Sequence, residues 1–266
     1  MRKIKVLIID DSALVRQVMT EILNADNAIE VIGTAQDPLD AREKIKKLKP
    51  DVLTLDVEMP KMDGITFLAN LMRLHPLPVV MVSTLTEKGA DITFEALELG
   101  AIDFVSKPKI DVIEGLNDYA TEICEKVKTA SLVNVTKISD RRARRTATIN
   151  SKPSEIEPKL SADAVLEKRS VQKSRLKTTD KIIALGASTG GTEAIKEVLS
   201  SMPANSPGIV ISQHIPEMFS KPFAERMDKN SAMTVYEAVD GQQILPGHVY
   251  IAPGNRHLII ERSGAR

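Results

Sequence analysis

Five charged or polar residues follow or end apolar runs of strand length in the first half of the sequence. Asp10 and Asp11 follow "KVLII", Asp56 ends "VLTLD", Ser83 ends "VVMVS" and Lys107 ends "DFVSK". The carboxyl ends of strands in an open parallel sheet meet at one edge, which is where ligands bind. Three carboxylates there repel one another unless a cation lies between them, and oxygen ligands favour Mg²⁺. The pattern predicts that Asp56 attacks a phosphoryl group whose charge Lys107 neutralises and to which Ser83 donates a hydrogen bond.

The stretch "KIIALGASTGG" places Ser188 in a glycine-rich turn after an apolar run. The stretch does not satisfy the P-loop pattern, because Thr192 occupies the position of the phosphate-binding lysine. It does not satisfy the dinucleotide-binding pattern G-x-G-x-x-G either, because Ser188 occupies the position of the second glycine. Gly186 to Gly190 satisfy G-x-S-x-G, the turn that exposes a nucleophilic serine between a strand and a helix. An incidental serine in a flexible turn remains the alternative.

His214 favours the nucleophile interpretation. It ends the next apolar run, "GIVISQH", 26 residues after Ser188. A strand, a crossover helix and a second parallel strand bring the two strand ends side by side, about 5 Å apart if the strands are neighbours. An imidazole at that place is able to act as general base for the serine hydroxyl. We therefore expect Ser188 and His214 to act together.

Both sets of residues require parallel sheets to position them. Residues 1–133 alternate five apolar runs with amphipathic helical segments, a pattern typical of a flavodoxin-like, doubly wound α/β sheet of five parallel strands. Asp37 followed by Pro38 predicts a helix start, and Gly100 predicts a helix end. From residue 180 to 266 strands and helices alternate again, with "HVYIAPG" and "HLIIERS" predicted as strands.

The segment 134–179 differs in composition from both flanking regions. It holds 12 Lys and Arg against 5 Asp and Glu and no aromatic residue, which predicts a flexible basic linker. Its run "RRARR" is either a solvated group of charges or a segment that docks on an acidic surface of this protein or of a partner. Because no aromatic residue is interleaved for base stacking, we do not expect nucleic-acid binding.

The composition limits the protein class. The 266 residues carry no formal net charge. No apolar run reaches the roughly 18 residues that span a bilayer, and the start lacks the features of a secretory signal, so membrane insertion is not expected. The single cysteine, Cys124, excludes an internal disulfide and suits a reducing compartment. We expect a cytoplasmic protein in which Cys124 is buried or partly buried.

The first set of motifs resembles response-regulator receiver domains. The resemblance rests on "DD", "LTLDVEMPKMDG", "MVS" and "FVSKP". It implies that a histidine kinase phosphorylates Asp56, that Ser83 and Lys107 sense the phosphate, and that Phe104 occupies the aromatic switch position. The implied Mg²⁺ ligands are Asp10, Asp11, Asp56 and the backbone of Glu58.

With the second half included, the chain resembles the chemotaxis protein-glutamate methylesterases. The motifs are "LGASTGGTEAI", "SQHIPEMFSKPFAERM" and "LPGHVYIAPG". The resemblance implies hydrolysis of glutamate methyl esters on methyl-accepting chemoreceptors, often with glutamine deamidation and without a cofactor for the esterase. Ser188 is then the nucleophile, Thr189 a part of its turn and His214 the base. In that family the unphosphorylated receiver blocks the active site, and phosphorylation relieves the block.

The sequence departs from the family at its end. The family completes its triad with an aspartate in a downstream "GNDG"-like segment, and this sequence stops at "RSGAR" before one occurs. Asp228 and Asp240 are not expected to substitute. We therefore expect a C-terminally truncated member with an incomplete Rossmann-like second domain and little esterase activity. The alternative is a non-catalytic response regulator that drains phosphoryl groups from the kinase or binds the receptor.

Overall fold

The computed structural model describes residues 2–59, 63–84, 86–107, 116–135 and 181–262. These residues form two compact units, each with its own parallel sheet. The basic linker predicted for 134–179 lies outside the described residues, apart from its first two positions. None of the described helices combines the length and the apolar character that a bilayer span requires.

The first unit contains a parallel sheet of five strands, as predicted. The strands are β1 (Ile4–Ile9), β2 (Ile29–Ala35), β3 (Val52–Asp56), β4 (Val79–Ser83) and β5 (Asp103–Ser106). Their order across the sheet is β2-β1-β3-β4-β5, and every neighbouring pair is parallel. This is the flavodoxin-like order, in which the strand order reverses between β1 and β3 and leaves a crevice at their carboxyl ends.

Five helices connect and follow these strands: α1 (Ala13–Ala25), α2 (Pro38–Leu48), α3 (Gly64–Leu74), α4 (Glu87–Leu99) and α5 (Leu116–Ser131). The predicted start of α2 is confirmed, since the Asp37 carboxylate accepts hydrogen bonds from the N–H groups of Leu39 and Asp40. The predicted end of α4 is also confirmed. Gly100 has a φ of 124°, a backbone conformation that glycine adopts without a steric penalty.

The sheet is buried on both faces. Val6 and Ile8 of β1 pack in one cluster with α1 and α5, while Leu7 and Ile9, which point to the opposite face, are also at most 1% exposed. Burial of both faces explains why the strands read as nearly continuous apolar runs. Cys124 of α5 belongs to the same cluster as Val6 and Ile8 and is buried, as predicted.

Thr54 is a polar residue in the middle of this core. It is fully buried in β3, and its hydroxyl has no hydrogen-bond partner. Valine has the same branched shape and lacks the desolvated hydroxyl. We therefore expect Thr54→Val to raise the free energy of unfolding by about 1 kcal/mol in a urea titration. A loss of stability would contradict the lack of a hydrogen bond at this hydroxyl.

The second unit contains a four-stranded parallel sheet flanked by helices. Its elements are β6 (Ile182–Ala187), α6 (Gly191–Ser201), β7 (Gly208–Gln213), α7 (Glu217–Lys229), β8 (Thr234–Glu237) and β9 (His248–Ile251). The strand order is β6-β7-β9-β8. The β6–α6–β7 unit therefore joins two strands that are direct neighbours.

One sequence-based prediction for the second unit was wrong, and one strand was missed. "HLIIERS" was predicted as a strand, but residues 257–262 are irregular, with Ile259 77% exposed. An extended segment becomes a strand only where a neighbour satisfies its backbone groups, and no described strand pairs with this one. Conversely, the four residues of β8 were not predicted. They form a strand because they pair in register with β9, a contact that a short, half-exposed sequence does not reveal.

Candidate functional site

The three predicted carboxylates meet at the carboxyl edge of the first sheet. Asp10, Asp11 and Asp56 each place one oxygen within 4.8 Å of the others. Asp10 and Asp56 are buried, and Asp11 is exposed. The Lys107 Nζ lies 2.8 Å from the Asp56 Oδ2 and 3.5 Å from the Asp10 Oδ2. The structure thus assembles four of the predicted residues into one cluster.

Backbone contacts hold the first two carboxylates in place. The Asp10 N–H donates to the Ala35 carbonyl of β2, and the Ser12 N–H donates to the Asp10 Oδ1 at 2.8 Å. The Arg16 Nη1 donates to the carbonyl oxygens of both Asp10 and Asp11, at 2.8 and 3.0 Å. Sequence analysis did not identify Arg16, because an arginine on an amphipathic helix is ordinary by pattern alone.

Asp56 is fixed from two sides. Its Oδ1 accepts the Glu58 N–H at 3.2 Å, and its Oδ2 accepts the Lys107 ammonium. The Lys107 N–H in turn donates to the Ser83 carbonyl at 2.7 Å, which ties the end of β5 to the end of β4. Hydrogen bonds therefore connect Asp56 to Lys107 and Lys107 to Ser83 at the carboxyl ends of β3, β5 and β4.

The cluster is short of positive charge. Burial, opposed by the hydrogen bond from Lys107, raises the pKa of Asp56 to about 6, and burial also raises the pKa of Asp10. The Asp10 Oδ2 is buried without a hydrogen bond, since its ion pair with Lys107 is too long for one. The Lys107 ammonium alone does not balance three carboxylates, and the Asp10 Oδ2 has no hydrogen-bond donor. Both features fit the binding of a divalent cation by these oxygen atoms.

Gly64 lets α3 begin directly against Asp56. Its N–H donates to the Val57 carbonyl at 3.0 Å, and a Cβ at this position would overlap the carbonyl oxygen of Asp56. We expect Gly64→Ala to lower the free energy of unfolding by about 2 kcal/mol in urea, because backbone must move to admit the methyl group. Gly33→Ala is the control, since its Cβ would meet side-chain methyl groups and no backbone: that of Leu48 at 2.9 Å and that of Leu7 at 3.6 Å. Equal losses from both variants would contradict the close approach.

Ser83 of β4 and Phe104 of β5 lie in the interior of the first unit. Ser83 is fully buried, and its hydroxyl is 3.3 Å from the Thr84 carbonyl and 3.5 Å from the Gly89 carbonyl. Phe104 is also buried and packs edge-to-face on Phe94 of α4, with ring centroids 6.2 Å apart. Sequence analysis missed Lys126, whose Nζ lies 5.2 Å from the centre of the Phe104 ring and donates to the Phe104 carbonyl.

The second sheet brings Ser188 and His214 to equivalent positions after neighbouring strands. Ala187 pairs with Gln213 at the ends of β6 and β7, and the next residues are Ser188 and His214. The His214 N–H donates to the Ala187 carbonyl at 3.1 Å. The predicted adjacency of the two strands is confirmed, and both Ser188 and His214 are exposed at the sheet edge.

The turn after β6 leads directly from Ser188 into the next helix. Gly190 has a φ of 73°, and the Gly191 N–H donates to the Ser188 carbonyl at 2.7 Å. α6 begins at Gly191, so the positive end of its helix dipole follows the serine directly. The arrangement suits attack by a hydroxyl and stabilisation of a developing oxyanion.

The loop after β9 packs closely on the segment after His214. A Cβ on Gly254 would lie 2.5 Å from the Glu217 nitrogen and 2.6 Å from the Ile215 carbonyl oxygen. The next residue, Asn255, has a φ of 58°. Sequence analysis missed this loop, because the close approach depends on two segments that are distant in the chain.

The two aspartates discussed for the second unit have local surroundings. The Asp228 Oδ1 accepts the Val235 N–H at 2.9 Å, which anchors β8. Asp240 is exposed in a turn that continues into Gly241 with a φ of 70°. That neither aspartate serves as a triad carboxylate remains a prediction.

Two family models match separate parts of the chain: the response regulator receiver domain over residues 6–116 and the CheB methylesterase over residues 183–266. A protein-glutamate methylesterase/protein-glutamine glutaminase of Hydrogenovibrio crunogenus is 60% identical over 275 residues, which span 100% of this chain and 73% of the relative. The chain belongs to the CheB protein-glutamate methylesterase family. A further CheB relative, from Geobacter metallireducens, is 54% identical over 98% of this chain and 68% of its own length.

Two solved CheB domains match parts of the chain. The response regulator domain of Thermotoga maritima CheB is 45% identical, with a TM-score of 0.46, over 50% of this chain and 99% of that domain. The Thermotoga maritima CheB methylesterase catalytic domain is 43% identical, with a TM-score of 0.31, over 32% of this chain and 46% of that domain. The resemblance to the CheB family noted in the sequence is confirmed by the curated relatives.

Proposed function

We propose that this protein is a phosphorylation-controlled methylesterase of the chemotaxis pathway. It hydrolyses glutamate methyl esters, and deamidates glutamines, on the cytoplasmic domains of methyl-accepting chemoreceptors. Residues 1–133 form the receiver, 134–179 the linker and 180 onward the catalytic region. The single observation that best supports the chemistry is the paired register at the ends of β6 and β7, which aligns Ser188 with His214.

In the proposed receiver reaction, a chemotaxis histidine kinase transfers its phosphoryl group to Asp56. When bound by Asp10, Asp11, Asp56 and the Glu58 carbonyl, Mg²⁺ supplies electrostatic stabilisation of the phosphoryl oxygens. Lys107, which already contacts the Asp56 Oδ2, is placed to neutralise charge on the transferred group. Ser83 donates its hydroxyl hydrogen to a phosphoryl oxygen, and Phe104 transmits the change.

In the proposed esterase reaction, the Ser188 Oγ attacks the carbonyl carbon of a glutamate methyl ester. His214 takes the hydroxyl proton and returns it to the departing methoxide, which leaves as methanol. N–H groups at the start of α6, with Thr189 in the turn, stabilise the oxyanion. Water, activated by His214, then hydrolyses the acyl-enzyme to a glutamate carboxylate and restores the serine. An amide substrate follows the same steps and releases ammonia, and no cofactor takes part.

Control by phosphorylation follows the family's pattern. The unphosphorylated receiver restricts access to Ser188, and the phosphorylated receiver relieves the restriction. In this proposal the acidic cluster around Asp56 is the regulatory site, and Ser188 with His214 is the catalytic site of the same enzyme.

Methanol release from a methylated chemoreceptor tests the proposed activity. The protein translated from the complete coding sequence should release methanol after phosphorylation, and Ser188→Ala should release it only at the background rate. If the two proteins are equal, the esterase proposal is wrong, and the non-catalytic alternative of a phosphate sink or receptor-binding module takes its place.

A further inference from the structure

The carbonyl of Gly89 lies between two hydroxyl groups in the first turn of α4. The Thr93 Oγ1 donates to it at 2.6 Å, and the Ser83 Oγ lies 3.5 Å away. Both hydroxyl residues are fully buried. Because α4 is helical from Glu87 to Leu99, the Thr93 N–H also points at this carbonyl. Thr93 therefore approaches the Gly89 oxygen with two donors.

A carbonyl oxygen has two lone pairs, so these two donors from Thr93 saturate it. Ser83 is a third donor at a long distance, and its other acceptor, the Thr84 carbonyl, is 3.3 Å away. Both distances exceed the usual length of about 2.7 to 2.8 Å for hydrogen bonds between a hydroxyl and an oxygen. The Ser83 hydroxyl is therefore only weakly held within the protein.

Gly89 permits this arrangement because it has no side chain. A Cβ would lie 2.7 Å from the Thr84 oxygen and 3.2 Å from the Ser83 Oγ. Glycine within a helix costs about 1 kcal/mol relative to alanine. Its use here is explained by the close approach of α4 to the end of β4.

We propose that Thr93 is a positioning residue for the phosphate response: its hydroxyl satisfies the Gly89 carbonyl and so leaves the Ser83 hydroxyl available to a phosphoryl group on Asp56. The inference rests on the proposed role of Ser83. When Ser83 turns toward the phosphoryl group, the buried Gly89 carbonyl keeps its partner. Without the Thr93 hydroxyl, Ser83 becomes the second donor to that carbonyl, and its release leaves a buried acceptor unsatisfied.

The test is the affinity of the full chain for beryllofluoride in the presence of Mg²⁺, measured by ¹⁹F NMR. Thr93→Val, which keeps the shape and removes the hydroxyl, should weaken binding roughly threefold to tenfold, the equivalent of one neutral hydrogen bond. Thr93→Ala should weaken it likewise, and Thr93→Ser should stay near the wild-type value. Thr54→Val is the matched control, because it removes a buried hydroxyl that has no partner.

A double-mutant cycle separates positioning from a general structural effect. In a Ser83→Ala background, Thr93→Val should leave the beryllofluoride affinity unchanged, because no hydroxyl remains to be held. Equal weakening in both backgrounds, or no weakening in the wild-type background, would overturn the inference. If Ser83→Ala alone leaves the affinity unchanged, the proposed role of Ser83 is wrong and the inference falls with it. Weakening by Ser83→Ala without an effect of Thr93→Val rejects only the role of Thr93.

Discussion

Incubated with acetyl phosphate and Mg²⁺, the protein should gain one phosphoryl group, and Asp56→Asn should gain none. Asp56 is the carboxylate whose two oxygens are held by Lys107 and by the Glu58 N–H, beside two further carboxylates. Asparagine keeps the shape of the side chain but lacks the nucleophilic oxygen. Intact-mass spectrometry measures the added phosphoryl group directly.

Asp51→Asn is the control for this result. Asp51 precedes the same strand at its opposite end, where it pairs with Arg2 at 2.8 Å. Its replacement should leave phosphorylation unchanged. Undiminished labelling of Asp56→Asn would show that the phosphoryl group is attached elsewhere, and the receiver assignment of this residue would be lost.

Ser188→Ala and His214→Ala should each reduce methyl-ester hydrolysis by about 10⁴-fold or more in the protein from the complete coding sequence. The two residues follow paired positions of β6 and β7, so we expect them to act as one nucleophilic unit. The double variant should be little worse than either single variant, because members of a catalytic unit are not additive. Methanol release under single-turnover conditions gives the three rates.

Ser200→Ala is the matched control in the same unit. Ser200 lies on the exposed surface of α6, where its hydroxyl donates to the Glu197 carbonyl. Its loss should not change the rate. Substantial activity in both Ser188→Ala and His214→Ala would mean that the aligned pair has only a structural role.

Much of the first unit was predictable because its determinants are local. Each strand is a short apolar run, and Asp37 and Gly100 mark helix ends through contacts within a few residues. The carboxylate cluster was predictable as well, because parallel strands bring their carboxyl ends to one edge. The same rule anticipated that Ser188 and His214 follow neighbouring strands.

The remaining features depend on contacts between segments that are distant in sequence. Residues 257–262 have the composition of a strand without a described neighbour to pair with, while β8 pairs with β9 despite its short, half-exposed sequence. The closeness of Gly64 to the Asp56 carbonyl is set by the path of α3. The long contact between the Ser83 hydroxyl and the Gly89 carbonyl depends on α4, in which the Thr93 hydroxyl donates to the same carbonyl. Pattern and propensity carry no information on such approaches.

The most direct test of the account is whether phosphorylation of Asp56 controls hydrolysis at Ser188. The rate of methanol release from methylated chemoreceptor is measured with and without acetyl phosphate, for the protein translated from the complete coding sequence and for its Asp56→Asn variant. The account predicts that the phosphodonor accelerates the wild-type protein and leaves Asp56→Asn at its unstimulated rate. Equal acceleration of both proteins, or release that does not respond to the phosphodonor in either, would contradict it.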